Sequence, residues 1–473
     1  MNTGIFSKLS QAPDSVRSIK GSTIMIFKPM GEQWAKATKR FLIDRHARLI
    51  YFGAITSISQ FWKALFMKRI HTISLILVCL VLGTGVCRAK TALTWWQFWT
   101  DPSIRPTIQT MVSEFEKENP DISVKMTDLT WANGHEKIVV SFASGTAPDI
   151  LELGSDWIAQ FAANGQLADL SDEVAADSAE FQGWSMATYE GGVYARPWIL
   201  GTRVIFMNTD LLKRAGYEPT WLPVSLRDLF EASQRIDSLG EDIYGWGSNT
   251  AEKHRLYKKF LPFFWSSEAR IFDDAGDYCV ISSVHSVMAL SVYKLFHDQG
   301  GYVANQRGIE DAFLDGKIGV IMSGDWLLKR IELENRKINF STTLFPGDNG
   351  PGKSFLGGEF LAINADSDKK EAAGKFIRFM TSPENQVTFC KANRTANPSS
   401  RVAQQDSYFQ SSPHLQTFIK QIAFANHPPV DPDWVYIEDI IERAVEDALF
   451  GQGLPGEAML DAQHEITRLM SAE

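Results

Sequence analysis

Apolar positions recur along residues 91–470 at two alternating spacings. Residues 93–98 read as a buried strand. Ile104, Ile108, Met111, Val112 and Phe115 then fall on one helical face; Pro120 stops the run, and Ile122-Ser123-Val124-Lys125-Met126 alternates as a second strand. A helix over 135–143 closes at Ser144-Gly145-Thr146, a third strand follows at 149–153, and the next helix, 155–164, ends before Gly165. Strand, helix, strand, helix, strand predicts a parallel sheet covered by helices. A second region repeats the logic. It has strands at 204–207, 317–322 and 360–363, and helices at 210–215, 225–239 (Ser225 as N-cap), 284–297, 309–315, 325–331 and 372–380. Ser382-Pro383 opens another helix, and 434–449 and 456–470 are the last two. With no low-complexity linker between the regions, two lobes joined by several crossing strands are expected. The length of 473 residues also favours two domains over one core.

Before residue 90 the pattern changes. Met67-Lys68-Arg69 is followed by an apolar run over 73–82 and by Cys87-Arg88-Ala89, the order of a secretory signal cleaved after Ala89. The run is shorter than the roughly 20 residues a spanning helix needs. Residues 1–66 are then expected to be an overlong start assignment or an unstructured extension. A lipid on Cys87 is the lesser alternative, since Val86 is bulky for such a site.

Charge narrows the partners. Of 47 Lys/Arg and 56 Asp/Glu, residues 1–89 hold 13 and 3, which leaves 34 and 53 and a formal net charge of −19 for residues 90–473. Such a surface argues against nucleic acid and against an anionic membrane. Cys279 and Cys390 remain after the signal and read as two buried thiols, with a disulfide as the alternative. No metal-ligand spacing, nucleophile motif or phosphate loop occurs. Asp273-Asp274-Ala275-Gly276-Asp277 lacks the alternating ligands of a calcium loop and reads as a surface turn. Neither a metal nor a cofactor is expected.

The chemistry lies in aromatics and carboxylates at strand ends, where ligands bind in doubly wound sheets. Trp99-Thr100-Asp101 ends the first strand, Gly154-Ser155-Asp156-Trp157 the third, and Ser323-Gly324-Asp325-Trp326 a strand of the second region. Each Asp could simply cap a helix and each Trp could be core, but the recurrence points to a site. A pyranose offers a C–H face to indole and a rim of hydroxyls to carboxylates. Within TALTWWQFWTDPS the strand aromatics are expected in the core and Trp99 toward a ligand.

Four blocks resemble family 1 extracytoplasmic solute-binding proteins, the maltose-binding-protein-like receptors of ABC-type sugar importers: SGTAPDILELGSDWIAQFAANGQLADLSD (144–172), GGVYARPWILGTRVIFMNTDLLKRAGYEP (191–219), AFLDGKIGVIMSGDW (312–326) and LGGEFLAINADSDKKEAAGKFIRFMTSPENQ (356–386). The resemblance implies an α/β, two-lobed type II periplasmic-binding fold with three crossings, near 198–204, near 359–362 and within 400–430. Lobe one would hold 90–203 and about 360–410, lobe two 204–359 and about 411–473. It implies ligand contacts from Trp99, Thr100, Asp101, Asp156, Trp157, Trp198, Trp265, Asp325, Trp326, Gly358 and Glu359, with Phe264 a looser match and Arg203 either paired to a carboxylate or reaching the sugar. It further implies a monomeric, periplasmic, non-enzymatic receptor that closes on a carbohydrate and docks on membrane permease subunits. The alternatives are a carbohydrate-active enzyme, or a receptor for a polyol or glycerol phosphate ester that would call on Arg196 or Arg203.

Overall fold

The computed structural model describes residues 90–471 apart from 176, 349, 396 and 452; the expected signal and extension lie outside these residues. The first sheet is built on Thr91–Gln97, which pairs in parallel with Ile122–Asp128 on one side and Ile150–Gly154 on the other. Ser354–Ile363 runs antiparallel to Ile150–Gly154 and to Arg196–Thr202. The second sheet has the order Phe340–Thr343, Val204–Asn208, Ile318–Ser323, Tyr244–Asn249, Gly301–Ala304.

The alternation in TALTWWQ sorts its side chains to two faces. Leu93 and Trp95 are fully buried in one core with Trp198 and Phe376, while Phe98 enters a second core with Leu153, Trp157 and Phe161. A third core fills the second sheet's side, where Phe260, Phe263 and Phe264 of helix Tyr257–Ser266 meet Trp434, Ile441 and Val445 of helix Trp434–Phe450. The helix N-cap expected at Ser225 is present as a capping box with Asp228, on helix Leu226–Asp237.

Two chain passages run side by side between the sheets. Arg203 alone separates strand Arg196–Thr202 from strand Val204–Asn208. Beside it, Thr202 Oγ1 donates to Phe355 O at 2.8 Å, and Ser354 Oγ donates to Arg203 O at 2.6 Å. Residues 359–362, where the sequence places the second crossing, are paired within the first sheet, so the passage lies just upstream. Near the third passage, Ser354–Phe355 pairs in parallel with Ala425–Asn426, after helix Pro413–Ile422.

Cys279 and Cys390 are free and buried in separate cores, as thiols. The 273–277 stretch is a turn in which Asp273 Oδ1 accepts from the amides of Asp277 and Tyr278. Among the described residues no cluster of His, Cys, Asp or Glu could hold a metal, and no helix is long and apolar enough to cross a membrane.

Candidate functional site

The passages between the sheets converge on one cluster of charge and aromatic surface. Arg203 sits at its centre, its guanidinium carbon 4.6 Å from the Trp326 ring and 5.6 Å from the Phe355 ring. Burial lowers its pKa to about 10, with Asp325 and Glu359 acting against that fall. Glu359 lies on the crossing strand opposite Gly154, at a shift in register that bends the strand locally. Burial first, and then the charge of Asp325, push the Glu359 carboxyl up to about 7; Arg203 and Lys258 oppose.

Asp156 faces this group from the end of the third strand. It accepts from Tyr257 Oη at 2.9 Å and from Lys258 Nζ at 3.2 Å, both on the first turn of a helix on the second sheet's side. Burial opposes its charge, but Lys258 and the Tyr257 hydroxyl outweigh burial and hold its carboxyl below the usual range. Behind Tyr257 stands a second buried set: Glu438 pairs with His254 Nδ1, and Glu442 accepts from the backbone of His254 at 2.9 Å. Burial, with Asp156 and Glu438 nearby, drives the Tyr257 phenol well above its ordinary value, so it stays a donor.

Trp326 is fixed by its own edge. Its Nε1 donates to Glu310 Oε1 at 2.6 Å, and Arg330 Nη1 donates to Glu310 Oε2 at 2.7 Å. The ring folds back over Gly324, where an added Cβ would lie 1.9 Å from the indole; only glycine leaves that space. Asp325, 8% exposed, lies among the charges of Arg203 and Glu359.

Of the residues singled out in the sequence, Asp156, Asp325, Trp326, Gly358 and Glu359 come together, and Arg203 joins them. Gly358 packs strand on strand, since a Cβ there would meet Ile199 O at 2.5 Å. Trp265 stacks on Phe355 at 6.4 Å and so backs the cluster from outside; Phe264 is fully buried in the core. Trp99 is half-buried and edge-on to Trp198 and Phe389, beside the buried Glu152 carboxyl that accepts from Phe98 N at 3.0 Å. Thr100 and Asp101 are exposed at the rim. Trp157 and Trp198 are core side chains: Trp157 lies among Phe98, Trp131 and His135, and Trp198 among Trp95, Trp99 and Phe389 with no exposed surface. Arg196 lies in a different setting, bound to Asp177 and Thr381 and covering Phe181.

Sequence reading missed Tyr257, Lys258, Phe355 and Trp131. Trp131 stands beyond the end of the second strand, 42% exposed, stacked on Phe98 at 4.2 Å. A Cβ on Gly154 would reach both Trp131 and the Asp156 carboxylate, so the exposed indole borders the cluster. Its place after a strand end was the available signal.

Residues 101–387 match the family described as bacterial extracellular solute-binding protein. A putative binding protein of Brucella abortus is 24% identical over 370 residues, 76% of this chain and 88% of that one. The sn-glycerol-3-phosphate-binding periplasmic protein of Escherichia coli is 21% identical over 441 residues, 85% of this chain and 98% of its own length. Among solved structures, the sugar-binding protein MalE of Xanthomonas citri superposes with a TM-score of 0.72 at 23% identity, over 81% of this chain and 98% of that one. The fold is thus the two-lobed one of maltose-binding-type proteins, and the chain belongs to the bacterial extracellular solute-binding protein family.

Proposed function

We propose that the protein captures a neutral carbohydrate between its two sheets by hinge closure and delivers it to the permease of an ABC-type importer. The lobes would divide as 90–203 with about 360–410, and 204–359 with about 411–473. The ligand contacts would come chiefly from Asp156, Asp325, Trp326 and Glu359, with Trp131 at the border. Export to the periplasm on the 67–89 signal, or anchoring through Cys87, belongs to the same reading, as does action as a monomer without catalysis.

The observation that carries it is the pairing of the Trp326 indole face with Asp325 and Glu359 at the junction of the crossing strands. Indole covers the C–H face of a sugar ring, and carboxylates accept from its hydroxyls. Closure would bring the second sheet's groups onto a ligand held by the first and exclude water.

The relationship to a glycerol-phosphate-binding protein favours testing a second reading, a phosphate ester. A phosphate calls for cations free to meet it. Here Lys258 is paired with Asp156, and Arg203 is balanced by Asp325 and Glu359. The local charge therefore fits a neutral ligand better.

Thermal-shift and calorimetric screening of residues 90–473 against mono-, di- and oligosaccharides, polyols and sn-glycerol 3-phosphate tests both. Ligand at 100 times its dissociation constant stabilises by about 2.7 kcal/mol. A shift with one sugar class supports the carbohydrate reading. A shift with glycerol 3-phosphate alone overturns it.

A further inference from the structure

The helix Trp326–Leu333 carries the indole of the site at its start and two more charged side chains further along. Lys329 Nζ donates to Asp101 Oδ2 at 2.7 Å and to Asn393 Oδ1 at 3.0 Å. Three residues on, Glu332 Oε1 pairs with Arg394 Nε at 2.8 Å. The spacing of three puts Lys329 and Glu332 on neighbouring turns of one face. The partners all belong to the other side of the cleft. Asp101 follows the first strand, and Asn393 and Arg394 end helix Pro383–Asn393, which packs against helix Arg105–Glu118.

Other features tie this arrangement to position rather than chance. Arg394 stands in the left-handed region with φ 56°, a conformation that disfavours a side chain and that aims this one at Glu332. Lys329 is only 11% exposed. Burial opposes the charge on Asp101, yet Lys329 and the Ser103 amide hold its carboxyl down at about 2. The remaining flank of the helix is anchored to its own side, through Arg330 to Glu310, Asp311 and Glu334. The helix is therefore tethered at home by one arginine and reaches across by Lys329 and Glu332.

We propose that Lys329, Glu332, Asp101, Asn393 and Arg394 form an ionic clasp that draws the two sides of the cleft together and so positions Trp326 and Asp325 over it. These are positioning residues, outside the proposed ligand contacts apart from Asp101, which passes from the ligand list to the clasp. The proposal concerns closure itself, and its test needs no ligand.

The test uses single-molecule FRET on residues 90–473 labelled at Val140→Cys and Tyr278→Cys, exposed positions on opposite sides, with the two native thiols buried. The closed-to-open ratio in the absence of ligand is read at about 20 and about 500 mM NaCl, where the screening length falls several-fold. Lys329→Met and Asp101→Asn should each lower the ratio about three- to ten-fold at low salt and remove most of its salt dependence. The double reversal Asp101→Lys with Lys329→Asp should restore it. A ratio that is unchanged in both single variants overturns the clasp. So does a fall that the reversal fails to rescue, since a merely structural lysine would give that result. If no sugar binds the protein, the carbohydrate reading fails while the clasp result stands.

Discussion

Replacing Glu359 by Gln separates the stability of the site from its use. The Glu359 carboxyl is raised from 4.5 to about 7 by burial and by Asp325. A carboxyl whose folded pKa exceeds its unfolded one is held more tightly protonated in the native state, so it destabilises the fold as pH rises from about 4.5 through about 7. Above that window the full difference of about 2.5 pH units corresponds to about 3 kcal/mol, and to about 2 kcal/mol once the side chain's remaining contact with water is allowed for. Glutamine, always neutral, escapes this cost. Glu359→Gln should therefore be more stable than the parent at pH 8 and nearly equal to it at pH 4.5. With an unfolding entropy of about 0.8 kcal/mol/K for a body of this size, the gain at pH 8 is about 2–3 °C in Tm. Differential scanning calorimetry of the ligand-free proteins at pH 4.5, 6, 7 and 8 reads it directly. An equal Tm difference at all four pH values would refute the assignment of a strained, titrating carboxylate to the cleft. The same substitution should weaken sugar binding, because an amide is a poorer acceptor than a carboxylate.

Other substitutions probe the remaining groups. Trp326→Ala should abolish ligand-induced thermal shift, with affinity down at least about 100-fold by titration calorimetry, since both the stacking face and the donor to Glu310 are lost. Trp131→Ala should reduce sugar affinity by about 5- to 10-fold while shifting the ligand-free Tm by less than about 1 °C, because the ring is largely exposed; an unchanged affinity would remove it from the site. Lys259, fully buried beside Arg203 and donating to Met322 O, has its pKa lowered by burial to about 7. A lowered lysine costs stability below its folded pKa and recovers it as pH rises toward 10.5, so Lys259→Met should stabilise by about 3 kcal/mol at pH 6 and by progressively less at pH 9, measured by denaturant titration.

The helical and strand periods made most elements legible, because each buries one face against a sheet. The helix expected at 284–297 is Val284–Asp298, and that at 434–449 is Trp434–Phe450. What escaped was of two kinds. Strands Arg196–Thr202 and Tyr244–Asn249 contain Gly and Pro within short runs, so neither alternation nor an apolar block marks them. Helix Tyr257–Ser266 carries Pro262 in its interior and aromatics on nearly every side, which hides its period. The loss of that helix also hid Tyr257 and Lys258, whose role depends on reaching Asp156 from 101 and 102 residues away in the chain. A partnership at that separation leaves no local trace.

The two Asp-Trp turns show why spacing alone misassigned one tryptophan. Both follow a strand, and in both the carboxylate ends among charges from the other side of the cleft. In the third-strand turn a serine stands between the glycine and the Asp, giving Gly154-Ser155-Asp156-Trp157. The short 3-10 turn Ser155–Trp157 then sends the indole down onto Phe98 and His135. In the second-region turn the glycine adjoins the Asp, giving Ser323-Gly324-Asp325-Trp326, and the helix begins at the tryptophan itself. The ring can then fold back over the bare Cα of Gly324 and lie across the crossing strands, under Arg203. One inserted residue decides between a core side chain and a platform. Moving the glycine, as in Gly324→Ala, should therefore displace the Trp326 ring and cost ligand affinity, while Gly154→Ala should act through the Asp156 carboxylate, 2.7 Å from the new methyl.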